Sequence, residues 1–163
     1  MSDSHESRLQ QSGLQLSSPP APAANYAPVV RSGNLVFIAG QVPTKEGKDQ
    51  YTGKVGRDVT VADAVSAARL CAANVIAQLR AYLGGSLDGV ERCVRLGGFV
   101  NAPEDFGGHP AVLNGASDLM VEIFGESGRH VRVAVGCSSL PRDVPVEVEA
   151  TFELKTNFDT SST

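Results

Sequence analysis

Residues Gly128–Leu154 read GRHVRVAVGCSSLPRDVPVEVEATFEL, and we expect the rest of the chain to be arranged around this stretch. It contains two runs in which apolar and polar residues alternate, a pattern typical of β-strands with one apolar face. Arg132 lies among the valines of the first run, whereas Glu147 and Glu149 alternate with apolar residues in the second run. If the two runs pair, their polar sides bring the arginine and the carboxylates into one neighbourhood. We therefore predict a charged strand pair at the carboxyl end of the domain.

Two amphipathic helices precede this stretch. Thr60 begins the first helix, because a threonine followed three residues later by Asp63 resembles a capping box, and apolar residues then recur at three- and four-residue spacing. Gly84 ends this helix. Pro110 suits the first turn of the second helix, which is predicted to run to about Phe124. Each helix carries one apolar face, so each should lie across a sheet.

Three further strands are predicted upstream. Pro28–Val30 and Asn34–Ala39 form a hairpin, and Asp88–Asn101 forms a strand with a bulge or a close backbone approach at Gly97–Gly98. The order strand, strand, helix, strand, helix, strand, strand favours a mixed sheet with both helices packed on one face. The opposite face carries Phe37 and several valines and should be covered, which predicts a homo-oligomer.

Composition narrows the class of protein. The chain has 163 residues, enough for one ordinary domain, and a net charge of -4 without a basic cluster, so nucleic-acid binding is not predicted. It has no apolar run long enough to span a bilayer and no signal-peptide pattern at its start. Its cysteines are far apart and lack the spacing of metal ligands. We expect a cytoplasmic, membrane-free protein without disulfides.

Three regions are predicted along the chain. Residues 1–24 form an N-terminal extension with a short helix at Glu6–Ser12 and a Pro/Ala linker. Residues 25–155 form one domain, and residues 156–163 form a C-terminal tail.

The motifs of the domain, taken in order, resemble the RidA/YjgF family, the reactive intermediate deaminases that are also labelled endoribonuclease L-PSP. The resemblance runs from about Tyr26 to Leu154. The motifs that carry it are Tyr26, Gly33-Asn34, the strand end Ala39-Gly40-Gln41, the long helix, Asn114, Arg132, Leu140-Pro141 and Val146-Glu147-Val148-Glu149.

This resemblance implies a fold, an assembly and a chemistry. The fold is the chorismate-mutase-like α+β fold, a mixed sheet with two helices packed on one face. The assembly is a homotrimer with a ligand cleft at each subunit interface. The chemistry is the hydrolysis of small carboxylate-bearing enamines and imines, such as 2-aminoacrylate, to 2-keto acids and ammonia without a metal or an organic cofactor.

The resemblance also assigns site residues. Arg132 corresponds to the arginine that binds the substrate carboxylate, and Glu147 to the glutamate that positions water. Tyr26 corresponds to the active-site tyrosine, Gly40 to the pocket glycine and Asn114 to the helix asparagine. Arginine suits the first role because its planar fork matches a carboxylate with two charge-assisted hydrogen bonds.

The chain departs from the family at the pocket. Many members have a serine where this chain has Ala39, and many have a cysteine where it has Ala134. The backbone of Ala134 is still available to a substrate, but the hydroxyl at Ala39 is lost. The residues 107–112, GGHPAV, resemble an insertion that reshapes the rim of the pocket.

Other interpretations stand beside these assignments. Arg132 would pair with Glu147 or Glu149 if it were an ordinary surface residue. Tyr26 would then be a half-buried aromatic and Asn114 a solvent-facing residue. His109 is either a general acid or base, or a loop residue before a helix, and Cys137 is either a reactive thiol or an inert cysteine.

Two alternative functions remain open from the sequence. Because Ala39 and Ala134 replace polar residues, a non-catalytic trimeric protein that binds small carboxylate metabolites is one alternative. An endoribonuclease is the other, and only the family label suggests it.

Overall fold

The computed structural model of the chain describes residues 3–19 and 24–159. Residues 20–23 of the predicted Pro/Ala linker and residues 160–163 of the predicted tail lie outside the described residues. The main elements are α1 (His5–Ser12), β1 (Val29–Ser32), β2 (Leu35–Gln41), β3 (Thr44–Lys45), β4 (Lys48–Asp49), α2 (Val61–Tyr82), β5 (Val90–Asn101), α3 (His109–Phe124), β6 (Val131–Cys137) and β7 (Val146–Leu154). Short 3₁₀ turns precede β6 and β7, at Gly125–Gly128 and Pro141–Asp143.

A mixed five-stranded sheet forms the centre of the domain, in the order β1-β2-β7-β5-β6. Strands β5 and β6 are parallel, because α3 crosses between them, and the other neighbouring pairs are antiparallel. A separate hairpin of β3 and β4 lies in the segment between β2 and α2, where the sequence showed no strand pattern. The predicted α+β class with a mixed sheet is confirmed.

Both long helices begin and end where the sequence signals predicted. The Thr60 hydroxyl accepts a hydrogen bond from the backbone N–H of Asp63 at 3.1 Å, which caps α2. Helix α3 follows Gly108, carries Pro110 in its first turn and ends before Gly125. The apolar faces of α2 and α3 pack on one face of the sheet, around fully buried side chains such as Ile76, Leu96, Leu119 and Phe152.

The expected pairing of the last two strands is wrong. Strand β6 pairs with β5 alone, and β7 lies between β2 and β5, antiparallel to both. A short loop between adjacent runs favours a hairpin. In this sheet, however, β6 pairs in parallel with β5 through the β5–α3–β6 crossover and occupies one side of β5. Strand β7 therefore occupies the other side of β5, where its apolar face completes the core.

Of the two alternatives predicted at Gly97–Gly98, a bulge or a close approach to the backbone, the structure has the close approach. The register between β5 and β7 shifts earlier in the strand, between Val90 and Arg92 and between Cys93 and Arg95. The two glycines instead make room for side chains on opposite faces. A Cβ at Gly97 would lie 2.5 Å from the Glu149 carboxylate, and a Cβ at Gly98 would lie 2.2 Å from Leu113.

The face of the sheet without helices is open in the described chain, and large apolar side chains are exposed on it. They come from the edge strands β1 and β6 and from β2, which lies next to β1, and the exposed members are Val30, Leu35, Phe37, Val131, Val133 and Val135. We call these six residues the open-face patch. The apolar side of β6 is thus directed away from the core of this chain.

The N-terminal helix α1 docks on the domain. Leu9 is buried, and the carboxylate of Glu6 binds the Arg80 guanidinium at 2.7 Å and accepts the backbone N–H of Leu87 at 3.1 Å. The helix is thereby held against α3 and the turn after α2. No helix within residues 3–19 and 24–159 is both long and apolar enough to cross a membrane.

Candidate functional site

Arg132 lies on the sheet face that packs against the helices. In the register of β5 and β6 it sits beside buried Leu96, so its side chain points toward α3. Its Nη1 donates to the Ser117 hydroxyl at 3.0 Å, and its Nη2 donates to the Pro110 carbonyl at 3.3 Å. The guanidinium therefore extends along one face of α3 and is partly open to solvent.

His130 continues this network. Its Nδ1 lies 2.6 Å from the Gly128 carbonyl, and its Nε2 lies 3.0 Å from the Ser117 hydroxyl oxygen. A carbonyl only accepts hydrogen bonds, so Nδ1 carries a proton. Burial lowers the pKa of His130 below its ordinary value. The hydrogen bond to Gly128 opposes this shift, and the positive charge of Arg132 adds to it. Nε2 of the neutral imidazole thus accepts a hydrogen bond from the Ser117 hydroxyl.

The charge of Arg132 has no carboxylate partner among the described residues. Its two acceptors are a hydroxyl and a carbonyl, both neutral. Seven other arginines do form salt bridges within the described chain, and they are Arg8, Arg57, Arg69, Arg80, Arg95, Arg129 and Arg142. Arg132 pairs with neither Glu147 nor Glu149, because both carboxylates lie on the other face of the sheet, where Glu149 binds Arg95 at 2.5 Å. Arg132 is therefore available to an anionic ligand.

Two other predicted residues lie on the same side as Arg132. Asn114 follows Pro110 by four residues and Ser117 follows it by seven, so the three residues lie on one face of α3. Asn114 is exposed. Ala134 follows Arg132 on the helix-facing side of β6 and lies beside Gly98. We call Arg132, Asn114, Ser117, His130 and Ala134 the arginine half-site.

His109 is the first residue of α3 rather than a loop residue. Its ring packs edge-on against Phe106 at 5.2 Å between centroids, and it covers Gly136, where a Cβ would lie 2.4 Å from Nε2. The glycine is therefore required for this contact. The ring lies further along β6 than Ala134, on the same side of the strand, so it borders the arginine half-site.

Glu147 belongs to a second group, on the open face of the sheet. It sits beside Phe99 in β5, and the backbone of Gly40 approaches it so closely that a Cβ there would lie 2.1 Å from Oε1. Burial and the nearby charge of Glu149 raise the pKa of Glu147, and the positive charge of Arg142 offsets this only in part. Glu147 is thus a half-buried carboxylate with increased basicity.

Ala39 and Tyr26 are near this second group in the chain. Ala39 precedes Gly40 in β2, and its backbone N–H donates a hydrogen bond to the Pro28 carbonyl at 2.9 Å. Tyr26 precedes β1, and 56% of its surface is exposed. Its ring is therefore free to contact another molecule. We call Tyr26, Ala39, Gly40 and Glu147 the glutamate half-site.

The two half-sites lie on opposite faces of the sheet. Arg132 pairs with Leu96 and Glu147 pairs with Phe99, and residues three apart in a regular strand point to opposite sides. The expectation that alternation alone would bring the arginine and the carboxylates together is therefore wrong. The physical reason is that the polar side of β6 faces the helices, whereas the polar side of β7 faces outward.

A hydrogen-bond network around buried Asn101 fixes the start of β7, the strand that carries Glu147. The amide of buried Asn101 donates to Asp143 at 3.1 Å and to the Val144 carbonyl at 3.2 Å. Lys54 donates to Asn101 at 2.8 Å and to the Ser138 carbonyl. These contacts hold the β6–β7 loop.

Cys137 is not activated in this environment. Its thiol lies 3.5 Å from the Val100 carbonyl, and burial raises its pKa despite the charge of Lys54. A thiolate is therefore disfavoured near neutral pH. Within the described ranges, no group of three or more His, Cys, Asp or Glu side chains is arranged to hold a metal ion.

Sequence reasoning missed Ser117 and His130. The signal for Ser117 was its helical spacing from Asn114 and Pro110, which places all three residues on one face. The signal for His130 was its position two residues before Arg132, on the same side of a strand. Neither signal is specific until the packing of α3 against β6 is known.

Comparisons with known proteins agree with the fold. The family model described as "YjgF/chorismate_mutase-like, putative endoribonuclease" matches residues 6–149. Protein TCP17 of Trypanosoma cruzi is 44% identical over 147 residues, which cover 90% of this chain and 91% of the relative.

Two solved structures are also similar over nearly the whole chain. Atu1372 of Agrobacterium tumefaciens, of unknown function, is 45% identical with a TM-score of 0.86, and the match covers 93% of this chain and 92% of that one. A "putative endoribonuclease" from Shewanella oneidensis MR-1 is 38% identical with a TM-score of 0.89, and the match covers 93% and 100%.

Proposed function

The chain belongs to the YjgF/chorismate-mutase-like family, and we propose that it is a cytoplasmic, metal-free hydrolase of small enamines and imines that carry a carboxylate. Substrates of the 2-aminoacrylate type would yield 2-keto acids and ammonia. The observation that carries this proposal is the charge of Arg132, which meets only neutral oxygens among the described residues. A partly exposed cation without a carboxylate partner favours an anionic ligand.

Arg132 would bind and orient the substrate. Its fork is planar and presents parallel N–H groups that match a carboxylate. The contact of Nη2 with the Pro110 carbonyl is long, at 3.3 Å, so a carboxylate would replace it readily. The imine carbon next to that carboxylate would then lie over β6 near Ala134, whose backbone belongs to the arginine half-site.

Glu147 would activate the water. A carboxylate with a raised pKa accepts a proton more readily than an ordinary one, and Glu147 has this property because it is half-buried. In our scheme the water oxygen bonds to the imine carbon as Glu147 takes a water proton. Transfer of this proton to the nitrogen gives a carbinolamine. Glu147 then takes the proton of the new hydroxyl and passes it to the nitrogen, so that the C=O bond forms as the carbon–nitrogen bond breaks, which leaves the 2-keto acid and ammonia.

The site would need two subunits, because one chain holds Arg132 and Glu147 on opposite faces of its sheet. We propose a homotrimer in which the open-face patch is covered by neighbouring copies. Each cleft would combine the arginine half-site of one subunit with Tyr26, Gly40 and Glu147 of the next. The exposure of the six apolar residues in the open-face patch supports such an assembly.

The test is direct turnover. We would generate 2-aminoacrylate and bulkier imino acids in the assay and follow their decay with wild type, Arg132→Ala and Glu147→Gln. Wild type should accelerate hydrolysis, and each variant should lower kcat/KM by about 100-fold, since an essential charged contact contributes roughly 3 kcal/mol. Decay at the buffer rate with folded wild-type protein would refute the enzyme proposal.

A non-catalytic carboxylate-binding protein is the second candidate, favoured by Ala39 and Ala134 at positions where many family members have polar side chains. This candidate predicts tight carboxylate binding that depends on Arg132 without any acceleration of hydrolysis. Ribonuclease activity, which the family description mentions, would have to disappear in Arg132→Ala to belong to this site.

A further inference from the structure

Arg132 is held by a directed chain of hydrogen bonds. The chain runs from Arg132 Nη1 to the Ser117 hydroxyl, from that hydroxyl to His130 Nε2, and from His130 Nδ1 to the Gly128 carbonyl. The proton on Nδ1 fixes the direction, because Gly128 can only accept. The Ser117 hydroxyl then donates to His130 and turns a lone pair toward Arg132.

We propose that Ser117 and His130 are positioning residues, which hold the Arg132 guanidinium in the orientation that receives the substrate carboxylate. The inference rests on the proposed function only for the identity of the ligand. An arginine side chain has several rotatable bonds, and fixing it before binding lowers the entropy cost of forming the carboxylate contact. The hydroxyl of Ser117 sits on α3, and His130 directly precedes β6, where its Nδ1 is hydrogen-bonded to the Gly128 carbonyl, so both side chains are held in place.

The charges around His130 make the network responsive to ligand. Its own strand presents the Arg132 guanidinium, α3 presents the Ser117 hydroxyl and the turn before β6 presents the Gly128 carbonyl. A carboxylate bound to Arg132 offsets the positive charge that disfavours the imidazolium. In the imidazolium, Nε2 donates to the Ser117 hydroxyl oxygen, which still accepts from Arg132 Nη1, so His130 holds Ser117 in either protonation state. Because the bound carboxylate offsets the charge of Arg132, ligand binding should raise the pKa of His130, and by reciprocity ligand affinity should rise as the pH falls through that pKa.

Pyruvate is the probe, since it is the 2-keto acid that forms from 2-aminoacrylate, and pyruvamide is its matched control without a carboxylate. Calorimetry should show pyruvate binding about fivefold weaker in Ser117→Ala, the effect of one lost hydrogen bond. Ser66→Ala, which removes an exposed hydroxyl on α2, should bind pyruvate as wild type does. Unchanged pyruvate affinity in folded Ser117→Ala would overturn the proposal.

A pair of His130 variants separates positioning from packing. His130→Leu removes the hydrogen-bond partner of Ser117 and should weaken pyruvate binding, whereas His130→Gln keeps a hydrogen-bonding amide near the place of Nε2 and should restore it. The pH dependence of pyruvate affinity should nevertheless be lost in His130→Gln, because glutamine does not titrate. If His130→Gln is as weak as His130→Leu while folded, or keeps the pH dependence, the assigned role is wrong.

Nuclear magnetic resonance of the histidine rings measures the pKa of His130 with and without ligand, and this pKa would not change if His130 had only a structural role. The chain has three histidines, so the His130 signal is assigned by its absence in His130→Gln. Its pKa should rise when pyruvate is added and should not change with pyruvamide. The positioning role is overturned if the pKa of His130 is unchanged at saturating pyruvate, or if the wild type does not bind pyruvate. If pyruvate binds but 2-aminoacrylate is not hydrolysed, only the proposed function is overturned.

Discussion

Arg132 and Glu147 point to opposite faces of one five-stranded sheet, separated by strand β5. Arg132 faces the helices and meets α3, whereas Glu147 faces the side where large apolar residues are exposed. A substrate small enough to be held by one arginine cannot reach both side chains within one chain. The proposed reaction therefore depends on the contact between subunits, and this has consequences that experiments can check.

Complementation between two inactive variants should restore activity. If each cleft takes Arg132 from one subunit and Glu147 from the next, random co-assembly of Arg132→Ala with Glu147→Gln in equal amounts leaves about a quarter of the clefts intact. The mixture, refolded together or co-expressed, should show about that share of wild-type hydrolysis of 2-aminoacrylate. A mixture as inactive as either parent would mean that both residues must come from the same chain.

Charge introduced into the open-face patch should break the assembly. Val133 lies on β6 in this patch and is 41% exposed, and Val61, at the start of α2 outside the patch, is also 41% exposed. Val133→Glu should give monomers by light scattering and should abolish turnover, because a buried unpaired carboxylate at an interface is costly. Val61→Glu should remain oligomeric and active, and equal behaviour of the two variants would argue against this face as the interface.

The pH dependence of activity should report Glu147. Its pKa lies above the ordinary value, and it acts as a base only when ionised, so kcat/KM should fall as the pH drops through this raised pKa. The acid limb should therefore lie above pH 4.5, the ordinary value for glutamate. Rate profiles from pH 4 to 9 would locate it, and an acid limb at or below the ordinary value would contradict the assignment.

The ionised Glu147 carboxylate should lower the free energy of unfolding at neutral pH. Because its folded-state pKa is raised above that of the unfolded chain, the stabilising effect of its protonated form is complete at low pH and is lost as the pH rises through the folded pKa. Glu147→Gln should consequently be at least as stable as wild type at pH 7 while inactive. Denaturant unfolding of both proteins is the measurement, and a clear loss of stability in the variant would show that the carboxylate is structural.

A methyl group at Gly40 should displace Glu147. The Cβ of Gly40→Ala would lie 2.1 Å from Glu147 Oε1, and the end of a glutamate side chain moves aside easily. We expect kcat to fall by about 10- to 100-fold, as for misplaced catalytic groups, with little change in the thermal unfolding temperature. Full activity in Gly40→Ala would show that the position of this carboxylate is not critical.

Docking of α1 should contribute measurably to stability. Glu6 is partly buried, with 14% of its side chain exposed, and it binds both Arg80 and the Leu87 N–H. Glu6→Gln should lower the free energy of unfolding by about 1 kcal/mol, because it removes a charge that is hydrogen-bonded to the partly exposed Arg80 guanidinium, where solvent weakens the ion pair. Glu126→Gln breaks a pair in which the side chains are 68% and 86% exposed, and it serves as the matched control with unchanged unfolding.

Much of the fold follows from local patterns. The cap at Thr60, the glycines after α2 and α3, and Pro110 in the first turn of α3 locate the helices, because capping and φ restrictions depend on neighbouring residues only. The alternation in Val146–Leu154 locates β7 for the same reason. These signals operate within a few residues along the chain and are readable from it.

The site is only partly readable in this way. The family resemblance singled out Arg132 and Glu147 among similar neighbours, but the alternation around them suggested that they share one polar surface. Strand order decides otherwise, since β7 lies between β2 and β5 while β6 takes the edge. Strand order is set by long-range pairing and by which faces complete the core, and no local pattern encodes it.

Residue patterns alone identify the family, the α+β class, the helices and the residues with the right chemistry. The packing of strands and helices is needed to show that Arg132 meets Ser117 and His130, that Gly40 makes room for Glu147 and that the two half-sites point away from each other. The reason is physical: capping and periodicity depend on residues adjacent in the chain, whereas the direction of a side chain depends on which strand lies beside its own.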